Sequence, residues 1–288
     1  MNEIGGAPLF FLEFGDIVIY FSPFTLTLFI LALVFTVFVL ASRPERQIDI
    51  AFGGDAYYDK VISLSELRFR RFMSIACGLA CMGAMVTGDV FDFTLFVSLV
   101  GICNVGIVAA VKSKHVQNAA YQYGLVALAG TVPLFSAAAM VAATTGTLSM
   151  LELAKNAVQV PLAARALLVL GVMGEGMAPF YAAKAEMFRA PGAPYVIMCS
   201  LSTLLIFLRV AEVILLLRGE EMKKQYALAL ALVAAGSGIA AMVLNMVHIL
   251  PDWAYMGVLV IAFPLFVLGL GLYWMAREGE ADIPFMGY

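Results

Sequence analysis

Leu170-Gly171-Val172-Met173-Gly174-Glu175-Gly176-Met177-Ala178-Pro179-Phe180 is the stretch that decides the reading of this chain. An ionisable residue, Glu175, stands inside an otherwise apolar run. A carboxylate at bilayer depth costs a few kcal/mol on insertion scales, so it needs a partner or a water-lined cavity. Gly174 and Gly176 flank it and Pro179 follows, and both residue types weaken a helix. An interrupted membrane helix carrying a charge is how many transporters build an ion site.

The rest of the chain agrees with a membrane setting. It has 288 residues, 63% hydrophobic and 13% charged, where a soluble domain is nearer half apolar and a quarter charged. Long apolar runs, without the period-2 alternation of a membrane barrel, make the spans helices. A net charge of −3 with no basic patch argues against nucleic acid as a partner. Cys77, Cys81, Cys103 and Cys199 all fall in apolar spans without zinc or cluster spacing, and read as small packing residues. No CxxC, Gly-rich phosphate loop or metal constellation is present, so no cofactor is expected in this chain. Glu3, Glu13 and Asp16 replace a basic leader, so the first apolar segment is expected to be a retained helix.

At about 20 residues per span, the expected fold is an all-α, polytopic transmembrane bundle of eight helices. They are placed at 17–41, 72–87, 91–111, 121–144, 164–183, 194–217, 226–249 and 254–276. The second is short and turns into the third through Thr87-Gly88-Asp89, and the fifth is the interrupted one. Three parts follow: residues 1–71, one helix and a loop; 72–217, five helices; and 218–288, two helices and an acidic tail. Arg43, Arg46, Lys60, Arg68, Arg70 and Arg71 follow the first span, Lys112 and Lys114 the third, and Lys184 and Arg189 the fifth. Their loops lie on one side, assigned as cytoplasmic, which puts both termini outside. The opposite side carries Lys155, Arg218, Lys223 and Lys224, so the bias is incomplete. The loop 42–71, with Phe52, Tyr57 and Tyr58, is either a solvated connector or a docking point for a soluble partner.

The ion-path candidates are Glu175, Ser98, Lys184, Arg209, Glu212, His248, Asp89 and Asp92, with Gly174, Gly176 and Pro179 as the helix break. Each has a plainer reading. Asp89 suits an N-cap, accepting from free backbone N–H groups, and Asp92 a first helical turn, where the dipole favours an acid. Arg209 and Glu212, three apart on a helix, share a face and can neutralise each other. His248 stands near a span end, before Pro251 and Asp252. Glu175 has no basic residue within one turn, so its partner must come from another helix or chain. Unpaired in a dry site, it can hold and release a proton; opposite a cation, it is a fixed charge and carries nothing.

Four stretches resemble the antiporter-like membrane subunits shared by respiratory complex I, multisubunit cation/proton antiporters and energy-converting hydrogenases. They are Gly88-Asp89-Val90-Phe91-Asp92-Phe93-Thr94-Leu95-Phe96; Tyr121-Gln122-Tyr123 with Gly124 to Gly130; Thr144-Thr145-Gly146-Thr147-Leu148-Ser149; and the Glu175 stretch followed by Ala190-Pro191-Gly192-Ala193-Pro194 and Leu208-Arg209-Val210. Order and spacing hold over residues 71–210. The resemblance implies one five-helix antiporter-like repeat with a broken helix. It also implies membrane-subunit partners of a hydrogenase-like or complex I-like assembly, lipid contact, and a soluble redox arm reached through residues 42–71. Within the family, short chains of archaeal energy-converting hydrogenases are the most similar in kind, and such a chain is not an enzyme on its own.

The departures are specific. The family's helix glutamate falls on Ser98, its broken-helix lysine on Glu175, its lysine before the tyrosine on Gln122, a further lysine on Leu201, and its histidine near Tyr181. The expected carboxylate–lysine pair is thus replaced by a serine and an acid. Three functions stand open: an ion-translocating subunit, a scaffold that has lost transport, and a stand-alone secondary transporter that dimerises.

Overall fold

The computed structural model describes residues 9–14, 17–42, 47–52, 56–155, 160–175, 184, 193–216, 223–247, 249 and 252–277. Its helices are α1 (Pro23–Ala41), α2 (Leu64–Val86), α3 (Val90–Ala109), α4 (Lys114–Thr145), α5 (Met150–Lys155), α6 (Leu162–Met173), α7 (Ala193–Leu216), α8 (Lys223–Met246) and α9 (Asp252–Arg277). Among the described residues, α1, α2, α3 and the stretch Val116–Thr145 of α4 are each long and apolar enough to cross a bilayer. Shorter apolar stretches lie in α6, α7, α8 and α9.

Several boundaries differ from the sequence expectation. The first span does not begin at residue 17: Ile17–Phe21 is strand β2, paired antiparallel with β1, Phe10–Phe14. Helix α1 starts after Ser22, whose hydroxyl accepts from Thr25 N while the Thr25 side chain returns to Ser22 N, with Pro23 at the first turn. The second span is not short. It begins at Leu64 because Ser63 and Glu66 form the same reciprocal cap. The fourth begins at Lys114, seven residues before the apolar run that marked it. Residues 42–71 are therefore not one open loop. They hold an antiparallel hairpin, β3 (Gln47–Phe52) with β4 (Ala56–Val61), and the first turns of α2. Arg71 closes the hairpin's base by donating to the Ser42 carbonyl at 2.7 Å.

Packing runs α1 on α2, α2 on α3, α3 on α4 and α4 on α6, with α7 laid across α1 and α2. The shared core includes Leu28, Ala32, Cys77, Cys81, Met85, Phe93, Val97, Leu134, Leu168, Met198 and Ile206. The four cysteines are free and buried there. Ile30, Leu31, Val34, Val37 and Phe38 of α1, and Leu125, Leu128 and Val132 of α4, are exposed. Such an apolar belt suits lipid. Helices α8 and α9 pack chiefly on each other.

The turn between α2 and α3 is a junction. Gly88 N donates to Val18 O at 2.7 Å, Val90 N to Leu148 O at 3.0 Å and Met150 N to Gly88 O at 2.8 Å. Gly88 lacks a Cβ because one would stand 2.7 Å from Val18 Cγ1. Asp89 caps α3, its Oδ1 accepting from Phe91 N at 2.7 Å and Asp92 N at 3.1 Å. Asp92 lies half-buried in the first turn. Asp89→Ala is expected to lower stability by about 1 kcal/mol, read as a fall in the melting temperature of the purified protein, with Asp89→Asn close to wild type.

Candidate functional site

The centre of the bundle is built on a helix crossing. Gly130 of α4 meets Gly171 and Gly174 at the end of α6. A Cβ on Gly130 would lie 2.7 Å from Gly171 O and 2.9 Å from Gly174 Cα, and one on Gly174 would lie 2.6 Å from Gly130 Cα. Small residues let membrane helices approach this closely. Helix α6 ends there. Gly174 N donates to Gly171 O and Glu175 N to Val172 O, both at 3.0 Å, so the last turn tightens to three-residue spacing. Glu175 thus sits in a turn that closes α6, not inside a helix. It is 1% exposed.

Among the described residues, Tyr123 and Gly101 stand against the Glu175 carboxylate. Tyr123 of α4, itself fully buried, places its hydroxyl 2.9 Å from Oε2 and 3.4 Å from the Glu175 carbonyl oxygen, so the proton goes to the carboxylate. On the other side lies Gly101 of α3, where an added Cβ would collide with Oε1. The absent side chain leaves the space that the carboxylate fills.

Lys184 corrects the sequence reading. It is not a loop cation facing the cytoplasm but is 2% exposed, in the same buried centre. Its ammonium donates to the Glu175 main-chain carbonyl at 3.1 Å and to the Thr203 hydroxyl on α7. Thr203 in turn donates to Cys199 O at 3.1 Å, which leaves its oxygen lone pairs to receive the ammonium. The face of the Tyr123 ring is 5.5 Å from the nitrogen, within cation–π range. Acid and lysine therefore do occur together in this chain, nine residues apart, despite the serine and acid at the family's positions. Glu175 thus has Tyr123 of another helix on its carboxylate and Lys184, nine residues on in the sequence, on its main-chain carbonyl.

Ser98 lies one turn before Gly101 on the same side of α3, but its hydroxyl donates to Thr94 O at 2.9 Å. One turn after Gly101, Asn104 is fully buried and its Oδ1 accepts from Cys77 Sγ at 3.4 Å. Asn104, Tyr123 and Thr203 were missed among the candidates. The available signal was that a tyrosine or an asparagine inside an apolar helix must find a hydrogen-bond partner.

Arg209 and Glu212 are elsewhere. They pair directly, both 0% exposed. Arg209 also donates to Thr87 O at 2.8 Å, and Glu212 accepts from the Ser22 hydroxyl at 3.1 Å. At 1.5 Å per residue, Arg209 stands roughly 9 Å along α7 from Thr203. The pair clamps the start of α1 and the end of α2 to α7. Asp89 and Asp92 belong to that same end of α3 and are not brought to Glu175. His248, Gly176 and Pro179 lie outside the described residues, as does the acidic tail. Among the described residues no group of three or more His, Cys, Asp or Glu side chains is placed to hold a metal ion.

Comparison with known proteins places this architecture. The model of a family described as "NADH dehydrogenase I, subunit N related protein" matches residues 1–217. The chain belongs to this subunit N-related family. The match includes the first 70 residues, which precede the four resembling stretches, and stops between α7 and α8. An uncharacterized protein of Methanocaldococcus jannaschii is 48% identical over 216 residues, 75% of this chain and 99% of that protein. The fold is also similar to a chain in the structure of the Mrp complex from Dietzia sp. DQ12-45-1b, with a TM-score of 0.54 and 15% sequence identity. That likeness covers 88% of this chain and 57% of the other, so this chain spans somewhat over half of that subunit. At such identity the similarity is one of fold. The chain is a multi-pass membrane protein with the antiporter-like helical architecture.

Proposed function

We propose that this chain is an ion-path subunit of a multisubunit, redox-driven membrane assembly, of the energy-converting hydrogenase kind. Glu175 and Lys184 then carry a proton, or Glu175 helps hold a sodium ion, while the ferredoxin or hydrogen chemistry and its cofactors reside in partner subunits. The observation that carries this reading is the buried centre itself. A carboxylate and an ammonium, each almost fully removed from water, lie in one buried centre where α6 ends, the acid held by the Tyr123 hydroxyl and the ammonium by the Thr203 hydroxyl and the Glu175 carbonyl. Buried ionisable groups cost stability in a bilayer and mark ion pathways. The hairpin β3–β4 is the docking point for a soluble arm on the cytoplasmic side in this reading, and both termini face outward.

The test is Glu175→Gln in the intact assembly, with ion-gradient formation measured in closed vesicles. Loss of gradient formation with the partner subunits still present is the expected result. Unchanged gradient formation favours the scaffold reading, to which one observation speaks: Ser98, where the family's acid stands, spends its hydroxyl on its own helix.

A further inference from the structure

We infer that Tyr123 is a spacer that keeps the buried acid and the buried lysine from closing into a direct ion pair. This rests on the ion-path reading above and adds a positioning residue to it.

The geometry is specific. Tyr123 contacts both charges: its hydroxyl donates to Oε2 of Glu175 at 2.9 Å, and its ring face lies 5.5 Å from the Lys184 nitrogen. Among the described residues the ammonium makes no ion pair with the Glu175 carboxylate. It donates instead to the main-chain carbonyl of the same residue and to Thr203. The acid and the lysine are thus held next to each other by separate anchors: Tyr123 and the Gly101 gap for the carboxylate, Thr203 and the peptide oxygen for the ammonium. A closed ion pair in a dry site is strongly held, because parting it leaves two bare charges. Such a pair is a fixed structural element, as Arg209 and Glu212 are at the far end of α7. Held apart, the two groups can change partners, which a relay needs.

Chemistry also says why a tyrosine fits. Its hydroxyl is a single donor, so it satisfies one carboxylate oxygen without supplying a charge. Its aromatic face attracts a cation only weakly, so the ammonium is steadied without being trapped. The ring is carried by α4 and is fully buried, so its position is set by that helix.

The test uses the whole assembly in closed vesicles. Tyr123→Phe removes the hydroxyl and keeps the ring. Gradient formation is expected to fall about tenfold, the scale of losing one hydrogen bond to a charged group, with subunit content unchanged. The Glu175 carboxylate infrared band, identified by its disappearance in Glu175→Gln, is expected to move. Adding Lys184→Gln is expected to remove the part of that change due to direct pairing. Thr203→Val, which frees the ammonium from its other anchor, is expected to act in the same direction and decides the matter if Tyr123→Phe does not assemble. Gradient formation within twofold of wild type, or an unmoved band, overturns the spacer role. A silent Glu175→Gln instead sinks the ion-path reading itself, so the two failures are distinguishable.

Discussion

Arg209→Ala is expected to cost about 3–5 kcal/mol and to leave little assembled subunit in the membrane. The arginine and Glu212 are both wholly buried. Removing the cation strands a carboxylate that keeps only the Ser22 hydroxyl as a described partner, and it frees the Thr87 carbonyl at the end of α2. Three helices, α1, α2 and α7, lose their common fastening. The measurement is the amount and melting temperature of the subunit in detergent. Arg209→Met combined with Glu212→Met is expected to recover most of the loss, since replacing both partners of a buried pair by apolar residues is often neutral. An Arg209→Ala protein that melts as wild type does would show that the pair fastens nothing. Ion-gradient formation per assembled complex in the double variant is expected to stay near wild type, because this pair is not in the Glu175 centre.

Gly174→Ala, or Gly130→Ala, carries the second large effect. Each new methyl group would meet the backbone of the facing helix, at 2.6 Å from Gly130 Cα in the first case and 2.7 Å from Gly171 O in the second. Backbone cannot rotate away as a side chain can, so α4 and α6 must separate. Overpacking of this sort costs about 1–3 kcal/mol. The functional loss is expected to exceed the loss of stability, because the same crossing sets where Tyr123 meets Glu175, and displacements near 1 Å can cost about a hundredfold in rate. Gly236→Ala on α8 is the control. Nothing lies within 4 Å of a Cβ there, and alanine favours a helix by about 1 kcal/mol over glycine. If Gly174→Ala and Gly236→Ala behave alike in melting and in gradient formation, the crossing does not position the site.

The parts of this site that could be read from the sequence are the local ones. The N-cap at Asp89 depends on residues two and three away, and the Arg209–Glu212 pair on one helical turn. Both have geometry that spacing alone specifies. The weak point of the fifth span was legible too: Gly174, Gly176 and Pro179 mark where a helix is free to end, and α6 ends at Met173. Hydropathy misjudged the ends of the second and fourth spans because it measures hydrocarbon, not helix. The polar first turns at Leu64 and Lys114 are helical outside any apolar window. The Ser63–Glu66 capping box was the overlooked sign of the first of these. At residues 17–21 an apolar run adjoins the helix without belonging to it, because Ile17–Phe21 pairs as a strand with Phe10–Phe14 and Ser22 caps the helix that follows.

What the sequence determined by itself is the solvent: a chain this apolar must place helices in lipid, and a carboxylate in such a run must be met by something. What met it was decided by tertiary structure. Tyr123 is 52 residues from Glu175, and Ser22 is 190 from Glu212. Lys184, an ion-path candidate that the charge pattern also counts among the loop cations, is 2% exposed and donates to the Glu175 carbonyl and to Thr203 on α7. No pattern of spacing reports which buried hydroxyl faces which charge, because that choice is made by which helices pack together and how closely, as Gly130, Gly171 and Gly174 let α4 and α6 do beside Tyr123 and Glu175.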